Sequence, residues 1–341
     1  MRIGVIAPPW MPVPPPAYGG TEMVVDLLAR GLQAAGHDVL LAASCDSTCP
    51  VPTVPGTPAS DPASTNDATA LMAHIVTAYA AMGDVDVIHD HTPAGPLYRH
   101  RPAGVPLAVT HHNAFTPEAI TLFRAAAREA AVIAISRDHA GQGSGVPIAR
   151  VIHHGLDLAE VPVGEGGGGY AVFLGRMDPA KGAVEALTIA RSAGVPLRLA
   201  AKMRTEGEHS YFDSEVRPLL TREHEYIGEV DGAEKYRLLG GALALLNPIQ
   251  WAEPFGLAMI EALATGTPVV GTPRGSAPEI VQPGITGFLA EVDELPDLLP
   301  RAADLDRAAC RADVEARFSV DRMVADHVEL YQELVARRRT S

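Results

Sequence analysis

At 341 residues the chain exceeds the roughly 100–200 of a single domain, and a composition of 47% hydrophobic and 20% charged residues excludes intrinsic disorder. Its 27 Lys and Arg against 41 Asp and Glu give a net charge of −14. That balance excludes a general basic surface for nucleic acid or anionic membrane, so any anionic ligand must be held by local cations or backbone dipoles. No run approaches the roughly 18 apolar residues of a membrane span, the first residues lack a secretory leader pattern, and Cys45, Cys49 and Cys310 cannot all pair with one another. A cytoplasmic protein with reduced thiols is expected.

RIGVIA (residues 2–7) reads as a strand stopped by Pro8 and Pro9. A helix follows in TEMVVDLLARGLQAAGH, with Thr21 as its cap, Val24, Val25, Leu27, Leu28 and Leu32 on one face, and Gly36 at its end. Residues 38–44 form a second strand and 50–65 a proline-rich surface loop. A helix over 67–82, strands over 86–91 and 106–112, a helix over 117–129, and strands over 131–136 and 150–155 complete the first half.

GEGGGG (164–169) offers no side chains to pack and reads as a linker. The second half restarts with a strand at 170–175, a helix at 181–193, a strand at 196–201, a helix at 213–221 and a short strand in EYIGEV. It continues with a helix at 231–240, a strand at 242–248, a helix begun at 255 and a strand at 268–272. Strands alternating with helices predict parallel sheets covered on both faces, the doubly wound α/β class. The expected organisation is a first domain over 1–163, the linker, a second domain over 170–315, and a terminal helix over 316–341 available to cross back to the first domain. Ligands in such sheets bind at the carboxyl ends of the strands, here in a cleft between two domains.

In EPFGLAMIE (253–261) the proline fixes a helix start, and Gly256 lets a ligand approach the backbone. The N–H groups of Phe255, Gly256 and Leu257 then make an anion site. Glu253 before the helix and Glu261 within it flank that site, and carboxylates suit hydroxyls rather than phosphate. Hydroxyls on both sides of a diphosphate describe a nucleotide sugar. Cations come from GRMDPAKG (175–182), where Arg176 and Lys181 follow a strand end; a charged hydrogen bond contributes about 1.5–3 kcal/mol, so the pair outweighs the helix dipole.

These motifs resemble those of the family 4 retaining glycosyltransferases, which have the GT-B fold of two Rossmann-like domains. EPFGLAMIE has that family's E-x7-E pattern, GRMDPAKG its phosphate clamp, APEIVQPGITGFL its glycine-spaced tail, and YGGTEMVVDLLARGLQAAGHDV its N-terminal pattern. The resemblance covers both halves. It implies sugar transfer from a nucleotide donor with retention of configuration, no bound metal or other cofactor, and an acceptor bound by the first domain.

Residue by residue, the resemblance implies Arg176 and Lys181 on the diphosphate and Glu261 on the ribose. Glu253 and the backbone from Phe255 to Leu257 address the sugar and distal phosphate, Val230 the base, and Gly19 and Gly20 the phosphates from the first domain. His112 aligns with the histidine facing the donor sugar, with His111 as its alternate. His89, Asp90 and His91 are candidates for the acceptor pocket. Departures from the family pattern are His154-Gly155 in place of Asn-Gly, and AAKMRTEGE in place of a glycine-rich turn, where Lys202 offers a further cation.

Asp84-Val-Asp86 precedes a buried strand and is read as structural, while Cys45 and Cys49 lack a second pair for zinc. Missing dinucleotide and P-loop fingerprints weigh against those readings. The expected partners are a nucleotide sugar, UDP-linked in the first instance, and a small-molecule acceptor. The Ala-, Gly-, Pro- and Arg-rich composition is similar in style to actinobacterial enzymes of antibiotic oligosaccharide tailoring, avilamycin-type pathways among them. A nucleotide-sugar epimerase or phosphorylase of the same fold, and a non-catalytic sugar-nucleotide binding module, remain the alternatives.

Overall fold

The computed structural model describes residues 1–16, 19–65 and 67–340, without the side chains of the last two. Tyr18 of the N-terminal pattern lies outside the described residues. The chain divides into two units, Met1–Gly155 with Val320–Ser341, and Leu156–Ser319.

The first unit runs β1 (Arg2–Ile6), α1 (Gly20–Ala34), β2 (Asp38–Ala42), α2 (Ala68–Ala80), β3 (Val87–Asp90), β4 (Leu107–Thr110), α3 (Pro117–Ala126), β5 (Ala131–Ala134), α4 (Arg137–Gln142) and β6 (Ile148–Val151). Its sheet is parallel, in the order β2-β1-β3-β4-β5-β6. The apolar face of α1 is buried as its periodicity predicts, and Gly36 ends the helix region with φ of 84°. Gly19, not Thr21, holds the N-cap position, so the expected side-chain cap is absent and the helix starts two residues earlier. All four residues of β3 and of β4 are buried, as parallel strands covered on both faces require.

The second unit runs β7 (Ala171–Arg176), α5 (Ala183–Ala193), β8 (Leu197–Lys202), α6 (Glu206–Tyr211), β9 (His224–Gly228), α7 (Gly232–Gly241), β10 (Leu245–Asn247), α8 (Leu257–Ala264), β11 (Val269–Gly271), α9 (Ala277–Ile280), β12 (Gly287–Leu289), α10 (Leu295–Leu298) and α11 (Arg307–Arg317). Its parallel sheet is ordered β12-β11-β10-β7-β8-β9. The helix expected at 213–221 instead lies earlier, at Glu206–Tyr211, and widens into a π turn over Phe212–Val216 before Pro218 stops it. The last helix, α12 (Val320–Thr340), packs on α1 and β3 in the first unit.

The glycine run 164–169 is not a linker. Gly164, Gly166 and Gly168 donate backbone N–H groups to Thr265, Gly240 and Gly241 of the second unit. A Cβ on Gly164 would lie 2.2 Å from the Gly240 carbonyl oxygen. Glycine is used there for close approach of two backbones, and the unit boundary falls earlier, after Gly155.

Strand order reverses between β1 and β3 in the first sheet and between β7 and β10 in the second. In open parallel sheets such switch points leave a crevice at the carboxyl ends of the strands, which is where ligands bind.

Candidate active site

At the second unit's switch point β7 ends in Arg176, and a 3-10 turn, Pro179–Lys181, carries the chain into α5. Asp178 caps that turn by accepting from Ala180 N–H at 2.9 Å. Gly182 then takes φ of 81°, and a Cβ there would sit 2.1 Å from Pro248 O, so only glycine lets this turn meet the loop after β10. Gln250 N–H donates to Ala180 O, Thr272 Oγ1 to Ile249 O at 2.6 Å, and Ser276 N–H to Glu253 O. The loops after β7, β10 and β11 are thereby stitched into one rigid edge.

On that edge Lys181 Nζ donates to Glu253 Oε1 at 2.7 Å, and Trp251 Nε1–H donates to Glu253 Oε2 at 3.2 Å. Both members of the Lys181–Glu253 pair are largely sheltered from solvent. Glu253 is thus held in place by two donors. The helix also starts later than expected: Gly256 is its N-cap, with φ of 82°, and Leu257 its first residue. Phe255 lies outside the helix, its ring 6.0 Å from that of Phe318 and its carbonyl accepting from Ser276 Oγ. Pro254 therefore precedes α8 instead of occupying its first turn. Met259 N–H donates to Gly256 O at 3.1 Å, and the N–H groups before it point along the positive end of the helix dipole.

Glu261 sits one turn inside α8 and is buried. It accepts from Lys235 Nζ of α7 at 2.6 Å through Oε1. Burial lowers the Lys235 ammonium pKa, but Glu261 together with Tyr236 and Asp231 outweighs it and the net shift is upward. Arg176 lies 3.4 Å from Asp178 and 3.5 Å from Glu208 Oε1. Glu208 closes a capping box with Thr205 and accepts from Arg204 and Thr205 N–H through Oε2, so one carboxylate both starts α6 and steers Arg176. Lys202 pairs with Arg176 in the β7–β8 register, and its ammonium is pushed down to about 8 by burial and by Arg204 and Arg176. Val230 lies just beyond β9 and is partly buried.

The structure therefore brings Arg176, Lys181, Glu253, Phe255, Gly256, Leu257 and Glu261 to one strand edge. Sequence reasoning missed Lys235, Trp251 and Glu208. The Thr205-x-x-Glu208 spacing was a readable signal for the last, whereas nothing local marks Lys235 as the partner of Glu261, 26 residues away.

In the first unit Gly19 and Gly20 begin α1. His112 follows β4, accepts or donates at 2.8 Å with His91 Nδ1, and stacks on His154 with ring centroids 5.3 Å apart. Burial and neighbouring histidines push its imidazole down to about 3. His111 turns to the other side, as alternation requires, and packs on Phe115 and Phe123 with Nε2 on Ala114 O. It is a core histidine and no alternate for His112. His89 and Asp90 do not line an acceptor pocket either, since both are fully buried. His89 is held between Thr110 Oγ1 and Tyr331 OH. Asp90 accepts from Tyr79 OH and Thr92 N–H, and burial raises its carboxyl to about 6. His91 is also buried, against His112. Asp86 of the D-x-D sequence accepts from Arg2 N–H, a structural role.

Residues 18–160 match the family described as Glycosyltransferase Family 4, and residues 163–304 the one described as Glycosyl transferases group 1. Over 311 residues the chain is 30% identical to the phosphatidyl-myo-inositol mannosyltransferase of Propionibacterium freudenreichii, covering 79% of this chain and 76% of that protein. The chain belongs to glycosyltransferase family 4. This glycosyltransferase is also 27% identical over 326 residues to the phosphatidyl-myo-inositol mannosyltransferase of Mycolicibacterium smegmatis, with 86% and 82% of the two chains covered. Its structure is similar to the crystal structure of AviGT4, a glycosyltransferase involved in avilamycin A biosynthesis, with a TM-score of 0.76, 27% identity and 98% of each chain covered. The two doubly wound units are those of the GT-B fold that the sequence motifs imply. Among the described residues no helix of the glycosyltransferase is long and apolar enough to cross a membrane.

Proposed function

We propose that the protein moves a sugar from a nucleoside diphosphate, UDP in the first instance, to a small-molecule acceptor, retaining anomeric configuration and using no metal. The observation that carries this reading is the meeting of Lys181, Glu253, Arg176 and the N-terminus of α8 at the β7/β10 switch point. An ammonium has three donors, so Lys181 can keep Glu253 while giving a hydrogen bond to a phosphate oxygen. Glu253 then offers its acceptor capacity to a sugar hydroxyl, and Glu261 Oε2 to the ribose, with Oε1 anchored on Lys235. The backbone at Val230 receives the base, Gly19 and Gly20 the phosphates, and His112 the transferring sugar.

In the step itself the bond from the anomeric carbon to the distal phosphate oxygen breaks. The acceptor oxygen bonds to the same face of that carbon, and its proton passes to the departing phosphate. Products are the glycoside and the nucleoside diphosphate. Arg176, Lys181 and the α8 amides stabilise the negative charge that grows on the phosphate, a preorganised electrostatic term that asks for no protein nucleophile. They also supply the positive charge a metal would otherwise bring.

An antibiotic or related secondary metabolite as acceptor is supported by the likeness to AviGT4. A second reading, an inositol-containing lipid as acceptor, is favoured by the names of the mannosyltransferase relatives; a net charge of −14 works against docking on an anionic membrane. The test is mass spectrometry of products from UDP-, GDP- and TDP-sugars with soluble glycosides and with phosphatidylinositol vesicles. A glycoside formed only with acceptor present supports transfer. Isomerised donor without acceptor points to an epimerase, and no turnover in any arm sinks the reading.

A further inference from the structure

In the first unit the strand ends at the β1/β3 switch point carry a nest of imidazoles, and its hydrogen bonds leave one atom over. His91 Nδ1 meets His112 Nε2 at 2.8 Å, while His91 Nε2 is buried and has no partner among the described residues. One proton is shared across the His91–His112 contact, so two arrangements are open. Either His112 Nε2–H donates and His91 carries its own proton on the orphaned Nε2, or His91 Nδ1–H donates and the orphan is a bare lone pair.

An unmatched buried N–H is rarer in proteins than an under-satisfied acceptor. The same molecule follows that rule elsewhere. His74 Nε2 must carry the proton to reach Ala7 O, which leaves its buried, unpartnered Nδ1 as the lone pair. His327 Nδ1 must donate to Met323 O. Tyr331 OH, fully buried, has His89 Nδ1 as its acceptor at 2.6 Å, so His89 is protonated on Nε2 and donates to Thr110 Oγ1. With the protons placed this way the buried, unpartnered nitrogens of His74 and His91 are lone pairs, and the N–H groups of His74, His89, His91 and His327 all reach acceptors.

We propose that His91 is a positioning residue: it donates Nδ1–H to His112 Nε2 and thereby holds His112 as the Nδ1–H tautomer, stacked on His154. His112 then presents an N–H donor, and no basic nitrogen, to whatever lies against its partly exposed edge. This deepens the reading that His112 addresses the transferring sugar, and rests on it for its catalytic consequence. A donor there fits a sugar oxygen and leaves the acceptor proton to the departing phosphate.

Two-bond 1H–15N correlation of 15N-histidine-labelled protein reads the tautomer directly, with the His112 signal identified by its loss in His112→Gln. We expect a protonated Nδ1 and a lone pair on Nε2 of His112 in the unaltered protein. His91→Asn places an amide N–H where Nδ1 stood and should keep both the tautomer and turnover. His91→Phe should release His112 to the Nε2–H form and lower kcat by about tenfold, the loss of one neutral hydrogen bond, with KM for the donor little changed. A protonated His112 Nε2 in the unaltered protein overturns the proposal, as does equal impairment of the Asn and Phe variants. Failure of the transferase reading would appear separately, as absent turnover in the unaltered protein, and the tautomer measurement would still stand.

Discussion

Two strand edges of the same architecture solve the burial of polar groups in opposite ways. In the first unit the edge after β3 and β4 is lined by imidazoles kept neutral: His89, His91, His112, His154 and His327 all have pKa values pushed down by burial first, with neighbouring histidines adding to it for the first four and Arg322 for His327. In the second unit the edge after β7 and β10 is lined by ion pairs, Lys181 with Glu253, Lys235 with Glu261, and Arg176 with Glu208. Neutral rings can be stacked together because uncharged groups carry a small desolvation penalty. Carboxylates and ammonium groups need paired charges or several hydrogen bonds to survive burial, and the second edge uses pairs. The first edge is therefore suited to hydrogen bonding with an uncharged group, and the second to holding a polyanion.

The comparison is sharpened most by acid. A buried imidazole with a depressed pKa stays neutral while the unfolded chain takes up a proton, so its stability contribution is full above about pH 6.5 and falls below it. Each such histidine removes about 1.4 kcal/mol per pH unit until its folded pKa is reached. That lower limit is about 4 for His111, His139 and His327 and about 3 for His112. Asp90, raised to about 6 by burial, has the opposite sign and offsets one of them between its unfolded value and pH 6. Trp10 and Trp251 report on the two units separately. Fluorescence of Trp251→Phe and Trp10→Phe variants should show the first unit unfolding at a higher pH than the second. Coincident or reversed transitions would break the contrast.

Next in size is Lys235→Ala, which strands Glu261 in a site where both side chains are about one-tenth exposed. It should destabilise the second unit by about 3 kcal/mol in urea unfolding, and most of that should return in Lys235→Met with Glu261→Gln. For activity, Lys181→Ala and Arg176→Ala should each lower kcat/KM by about 10- to 100-fold, the loss of a charged hydrogen bond to the leaving phosphate. The smallest effect belongs to Arg217→Ala. Its pair with Asp213 is exposed and lies on one turn, so urea unfolding should move by less than about 0.5 kcal/mol.

Local signals in the sequence carried much of the fold. The apolar periodicity of α1 and the strand runs RIGVIA and YAVFLG each depend on neighbours a few residues apart, and each element lies within two residues of where those patterns place it. Features fixed by distant backbone were not legible. GEGGGG has the same composition whether it swings free or lies against Gly240, and only the fold decides. The short strand β12 draws its place from pairing with β11, not from its own three residues. His111 and His112 are adjacent and chemically identical; which one faces the core is set by the pleat of β4 and by Phe115 and Phe123. The pairing of Glu261 with Lys235 needed the packing of α7 on α8.

In the proposed function a diphosphate is gripped at the β7/β10 switch point by Arg176, Lys181 and the α8 amides. Titration calorimetry with UDP and with uridine, on the unaltered protein and on the Arg176→Ala/Lys181→Ala double variant, tests it most directly. The unaltered protein should bind UDP saturably and one-to-one and uridine much more weakly, and the double variant should lose the difference between the two ligands. UDP affinity that survives the double substitution unchanged would contradict it.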